Sequence, residues 1–235
     1  MLIDQPFSVL VPVHNEALLL PDALAGMLGA FDTVGREYEI YVVENGSTDD
    51  TRRLAAELER VHTPVRADYL PRADYGLALK HGIASCRHDL LVIVNVDFWN
   101  LDFVREALPL LVGGADLVVG SKVMEGSRDT RPFMRRAITR SFNALLRVMF
   151  GFTGTDTHGL KACRRRMLAP IAEQCVTNRS LFDTELVLRA ERAGLRVVEI
   201  PVDVREVRQP GWGSVVRRIP EATWNLARLA GQLWR

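Results

Sequence analysis

Short apolar runs rich in β-branched residues alternate with helix-patterned segments, and each run ends in a polar loop. Phe7–Val13 (FSVLVPV), Glu39–Val43 (EIYVV), Leu90–Val94 (LLVIV) and Leu117–Val119 read as strands. They are apolar without the alternation of a half-solvated strand, so both their faces are buried. Between them, Glu16–Phe31 sets Leu20, Leu24, Leu28 and Phe31 at helical spacing. Asp49 and Asp50 open a second helix, where the helix dipole favours acids, and Tyr75–Ser85 forms a third. Strand and helix in alternation predict an α/β fold: a mainly parallel sheet with helices on both faces. There is no internal repeat and no linker. The expected organisation is one domain over residues 1–213 with an amphipathic helix over 214–235.

The texture changes after residue 130. Residues 1–130 hold 11 Lys/Arg against 20 Asp/Glu, and residues 131–235 hold 19 against 9, within a net charge of +1. A basic C-terminal half suits an anionic partner such as a phosphate or a lipid surface. Zinc fingers, RNA-binding aromatic motifs and basic low-complexity tracts are all missing from the sequence, so nucleic acid is not expected. Phe133–Phe150 is patterned as an amphipathic helix, with Met134, Ile138, Phe142, Leu145 and Met149 on one stripe. Arg136, Arg140, Asn143 and Arg147 fall on another face. Ser214–Trp234 repeats the pattern, with Val215, Ile219, Ala222, Leu226, Leu229 and Leu233 opposite Arg217, Arg218 and Arg228. Such helices rest on an anionic bilayer or pack on the sheet, in a homo-oligomer interface or against a membrane partner protein. No apolar run reaches the roughly 18 residues of a membrane span. Met1–Pro6 lacks a basic leader, and Cys86, Cys163 and Cys175 form no CxxC pair. The expectation is a cytoplasmic protein with free thiols, peripheral on the inner face of the membrane if the helices bind lipid.

Ligands of open parallel sheets bind beyond the carboxyl ends of the strands. Four polar motifs fall there in order: Pro12-Val13-His14-Asn15-Glu16, Glu44-Asn45-Gly46-Ser47-Thr48-Asp49, Asn95-Val96-Asp97 and Gly120-Ser121-Lys122. The carboxylates and amides of the first two suit ribose hydroxyls and a base edge. Asp97, after a buried strand, suits a hard cation such as Mg²⁺ or Mn²⁺ holding a diphosphate. Lys122 suits a phosphate.

These residues carry a resemblance. FSVLVPVHNE resembles the opening strand of family 2 glycosyltransferases with its P-x-(Y/H)-N-E end, and VVENGSTDDT resembles their V-D-D-G-S-T-D-x-T. DLLVIVNVD resembles the strand leading to the metal-binding D-x-D, and VVGSK the V-G-S-R of the polyprenyl-phosphate sugar transferases, the dolichyl-phosphate-mannose-synthase-like branch. Asp156–Lys161, Phe182–Leu186 and Val198–Val202 resemble later family motifs, D-(T/x)-Q-(C/S)-G-F-K, F-D-x-E-L and E-(I/V)-P-V. The match runs from about residue 7 to about residue 214. It implies a GT-A fold, a nucleoside-diphosphate sugar donor, inversion at the anomeric carbon and a divalent metal. By the same resemblance Pro12, Val13, Asn15, Glu16, Glu44, Asn45, Ser47, Asp74, Gly76 and Asn95 line the nucleotide-sugar site. Asp97 is the metal ligand, and Asp97, Asp156, Asp183 and Glu185 are the candidate catalytic carboxylates. The chain departs from the family in Asn95, which replaces the first Asp of D-x-D with an uncharged oxygen ligand. It departs again in Trp99, where the branch has Gln.

Two acceptors are open at this point. A polyprenyl phosphate is already ionised, and Lys122 with Arg135 and Arg136 would hold it. A soluble hydroxyl would need a base, for which Asp183 is the candidate. A third reading, a nucleotide-binding protein without turnover, rests on Asn95.

Overall fold

The computed structural model describes residues 5–177, 181–204, 226 and 228–232. Among these residues seven strands form one sheet: β1 (Phe7–Val13), β2 (Tyr38–Asn45), β3 (Val65–Leu70), β4 (Leu90–Ile93), β5 (Leu117–Ser121), β6 (Lys161–Arg164) and β7 (Val197–Pro201). Their order is β3-β2-β1-β4-β6-β5-β7. All neighbours are parallel except β6, which runs antiparallel to both β4 and β5. Helices α1 (Leu20–Asp32), α2 (Thr51–Val61) and α4 (Leu101–Val112) cover one face. Helices α3 (Tyr75–Ser85), α5 (Phe133–Phe150), α6 (Arg165–Gln174) and α7 (Phe182–Arg192) cover the other. The pleat sorts β1 between two cores: Val9, Val11 and Val13 meet α1 and α4, while Leu10 meets α3. Leu10 approaches so closely that a Cβ on Gly82 of α3 would lie 2.2 Å from its Cδ1. Each fully buried Leu or Val of these cores contributes roughly 1.5–3 kcal/mol.

The α/β sheet expected from the sequence is present, and the strand ends expected to bind ligand share one edge of it. Helix α1 begins at Leu20 rather than Glu16, because Pro21 fits only a first turn and Glu16–Leu19 forms a separate hydrogen-bonded turn. The helix over 133–150 has the expected bounds but not the expected rotation. Its sheet-facing line is Asn143, Leu146 and Phe150. Met134, Ile138, Leu145 and Val148 stay exposed, and only Phe142 and Met149 of the expected stripe pack inward. Of the second amphipathic segment, most residues, including Arg217, Arg218, Trp224 and Trp234, lie outside the described residues. Its Leu226 and Leu229 are buried in the core beside α3, α6 and α7. Cys86, Cys163 and Cys175 are free and buried. No helix among the described residues is long and apolar enough to cross a membrane.

Candidate active site

The ends of β1, β2 and β4, with the start of α3, enclose a cleft of about 420 Å³. Pro12, Val13, His14, Glu16, Asn45, Ala73, Tyr75, Asn95, Val96 and Asp97 line it. Its walls are tied together by short bonds. Asn15 adopts a left-handed conformation (φ 56°), which an Asn tolerates better than most residues. Its N–H donates to Ser47 Oγ (2.9 Å), and its Oδ1 accepts from Thr48 N (2.8 Å). Glu44 is buried and accepts from Ser47 N, so it shapes the β2 turn from below and does not line the cleft. Gly46 (φ +61°) lets that turn lie on the 72–73 backbone, where a Cβ would come within 2.5 Å of the Arg72 carbonyl carbon. Asn45 Oδ1 accepts from Asp74 N (2.7 Å), and Asp74 caps α3 by accepting from Leu77 N (3.0 Å). Gly76 is buried in the first turn of α3. His14 Nδ1 donates to the Asn45 carbonyl (2.8 Å), which leaves Nε2 to accept from Asn15 Nδ2 (3.4 Å).

Asn95 and Phe98 exchange backbone hydrogen bonds (3.1 Å each), so Asp97 sits at the tip of a tight turn. Asp97 is half-buried, with no hydrogen bond or ion pair among the described residues. The amide of Asn95 is exposed beside it. Trp99 turns away, edge-on to Phe31 (6.0 Å) and against Gly26 of α1. Among the described residues no three His, Cys, Asp or Glu side chains cluster to hold a metal. One carboxylate and one amide do fit a divalent ion that takes its other ligands from a bound diphosphate.

The end of β5 opens a second cleft of about 270 Å³, lined by residues 122–127 with Asp129, Arg136 and Arg140. Lys122 is nearly buried, and its Nζ is 2.7 Å from Asp156. Burial raises the Asp156 carboxyl, but Lys122 and the N–H of His158 outweigh it and hold the group below its ordinary value. Among the described residues, Arg136 Nε is buried without a hydrogen-bond partner. Arg135, on a neighbouring face of α5, does not line this cleft. Arg140 and Ser127, not among the residues expected to hold an acceptor phosphate, do.

The remaining candidates lie beneath these clefts. Asp183 forms a buried ion pair with Lys161 (2.7 Å), whose Nζ also donates to Gly159 O (3.0 Å). Tyr75 of the first cleft lies beside it, and burial together with the Asp183 carboxylate holds the Tyr75 proton well past its ordinary range. Glu185 is fully buried and accepts from Val176 N, Thr177 N, Thr177 Oγ1 and Arg189 Nε, at 2.6–3.1 Å. Its oxygens are filled by the 176–177 turn, so its place in the fold is that of a clamp. The expectation of a catalytic Glu185 came from the resemblance of Phe182–Leu186 to F-D-x-E-L, a motif that cannot by itself separate a carboxylate facing a cleft from one facing a loop.

The family model described as glycosyl transferase family 2 matches residues 8–171. The chain belongs to this family. Glycosyltransferase AglD of Haloferax volcanii is 30% identical over 83% of this chain and 32% of its own length. The undecaprenyl-phosphate 4-deoxy-4-formamido-L-arabinose transferase of Klebsiella pneumoniae is 33% identical over 83% of this chain and 58% of its own length. The chain thus spans a third to a little over half of these relatives. Glucosyl-3-phosphoglycerate synthase of Mycobacterium tuberculosis, solved with Mn²⁺, UDP and glucosyl-3-phosphoglycerate, superposes with a TM-score of 0.67 at 22% identity. That alignment covers 97% of this chain and 80% of the synthase. The fold is therefore GT-A, as the sequence motifs implied.

Proposed function

We propose that this family 2 domain transfers a sugar from a nucleoside diphosphate to a polyprenyl phosphate, with inversion. The observation that carries the acceptor is the state of Asp183. Its carboxylate is taken up by Lys161 and flanked by Tyr75. To serve as a base for a hydroxyl it would have to give up a buried ion pair. A phosphate acceptor needs no base, and the second cleft offers Arg136 and Arg140 beside Lys122. An acceptor phosphate oxygen bonds to the anomeric carbon from one side. The bond from that carbon to the donor diphosphate breaks on the other, and its electron pair leaves with the nucleoside diphosphate. A divalent ion held by Asp97 and Asn95 would neutralise charge on that leaving group. The first cleft, with its ring of polar side chains at three strand ends, suits the nucleotide. The name of the Klebsiella relative, an undecaprenyl-phosphate sugar transferase, supports the lipid-linked acceptor.

The outward face of α5 supports peripheral attachment to an anionic bilayer. Phe133 (69% exposed), Met134, Ile138, Leu145 and Val148 (85%) form an apolar surface edged by Arg140 and Arg147. The lipid tail of an acceptor in the second cleft would then lie at the membrane that α5 touches.

The test is a pair of variants, Arg136→Ala and Arg140→Ala. Each should raise KM for a polyprenyl phosphate on the order of tenfold or more, as expected for loss of a charge-assisted contact, and leave nucleotide affinity unchanged. Parallel loss of nucleotide affinity would place both arginines on the donor and refute this assignment.

A further inference from the structure

Asn143 was expected on the polar face of its helix, yet it lies on the buried line of α5 and is 2% exposed. The other two buried positions of that line are Leu146 and Phe150, so an apolar side chain would suit the packing better. Its Nδ2 donates to the carbonyl of Thr155, but among the described residues its buried Oδ1 has no partner. A buried, unpaired carbonyl costs stability, so packing does not account for an asparagine here. What the asparagine adds is the bond to Thr155.

Thr155 stands at the centre of a latch. Its N–H and Oγ1 donate to Glu199 of β7 (2.7 Å each), and Asp156 N donates to the same carboxylate (3.0 Å). Ser121 Oγ of β5 lies 2.6 Å from Thr155 Oγ1 and accepts from Val123 N and Met124 N, which line the second cleft. Arg147, one turn after Asn143, donates to Gly154 O (3.0 Å). The 154–156 loop is therefore fixed from β7, from β5 and from α5, and it presents Asp156 to Lys122. Arg136 and Arg140 precede Asn143 on the same rigid helix.

We propose that Asn143 is a positioning residue for the acceptor phosphate: its bond to Thr155 sets α5, and with it Arg136 and Arg140, against the Lys122–Asp156 pair. The inference rests on the acceptor reading above. Asn143→Asp keeps the shape and removes the donor, and Asn143→Ala removes the amide altogether should the first variant not fold. The probes are farnesyl phosphate, by calorimetry, and whichever nucleoside diphosphate most stabilises the wild type. Loss of a hydrogen bond that aligns the cleft should weaken farnesyl phosphate about tenfold and leave the nucleotide unchanged. In the transfer reaction the change should fall on KM for the acceptor more than on kcat. Wild-type protein that binds no farnesyl phosphate overturns the acceptor reading and this inference together. A wild type that binds it, with variants that bind equally well, overturns the inference alone. Equal weakening of both ligands also overturns it, since a merely structural residue would loosen both sites.

Discussion

Replacing Asp156 with Ala should cost the protein about 3–5 kcal/mol, the usual penalty for removing one partner of a buried ion pair. The structure supports the upper part of that range. The Lys122 side chain is only 9% exposed, and Asp156 itself 1%. The substitution also leaves two N–H groups, those of His158 (3.0 Å) and Lys122 (3.4 Å), without their acceptor. Urea unfolding at neutral pH measures the loss directly. The double variant Lys122→Met with Asp156→Leu should recover most of it, because the cost lies in a stranded charge and not in a missing attraction. The pH dependence has a definite sign. The folded-state value of Asp156 is depressed, so its stabilisation is present above the ordinary carboxylate range and is lost as pH falls through the folded value. Wild type and Asp156→Ala should therefore begin to converge in stability as pH falls below the ordinary carboxylate value of about 4, and meet only below the depressed folded value. A neutral-pH loss under about 1 kcal/mol would refute the reasoning, since that is the scale of an exposed pair. A double variant no more stable than the single would refute it as well.

Three further outcomes are expected. A Cβ on Gly159 would lie 1.6 Å from the Gly120 carbonyl oxygen, so Gly159→Ala should cost more than about 4 kcal/mol or yield no soluble protein; a melting temperature within a few degrees of wild type would show that the two backbones do not cross this closely. Asn95→Asp restores a second carboxylate beside Asp97 and should tighten Mn²⁺ roughly tenfold when a nucleoside diphosphate is present, read from free Mn²⁺ by EPR; an unchanged titration would argue against a metal at this turn. Ile138→Glu with Val148→Glu should abolish salt-sensitive co-sedimentation with anionic vesicles without altering the melting temperature, whereas undiminished co-sedimentation would take α5 off the membrane.

Central strands and strand-end motifs were legible because their chemistry is local. A run such as FSVLVPV can be satisfied only by burial on both faces, and the polar loops follow it immediately. Four elements were not legible. β3 (VRADYL) is an edge strand with mixed polarity, and β6 (KACR) is four residues long and owes its place to neighbours on both sides. α4 carries Pro109 near its end, and α6 carries Pro170, each of which reads as a break. Of the candidate site, the strand-end positions of Asn95, Asp97 and Lys122 could be read from the sequence, and the first two line the first cleft and the third the second. The pairing of Lys161 with Asp183 and of Lys122 with Asp156 could not, since each joins residues 22 or more apart through tertiary packing. The rotation of α5 was misread for the same reason. Periodicity finds an apolar stripe, but only the neighbours decide which face is covered, and here the sheet took the face bearing Asn143.

The central claim is that the acceptor is an already ionised phosphate. It is tested most directly with a matched pair of acceptors, a polyprenyl phosphate and the polyprenol of the same chain length, each offered with a panel of labelled nucleotide sugars. The account predicts a lipid-linked sugar phosphate from the first and no product from the second, with the Asp97→Ala variant inactive toward both. Transfer to the polyprenol, or to a soluble alcohol in preference to the phosphate, would contradict it.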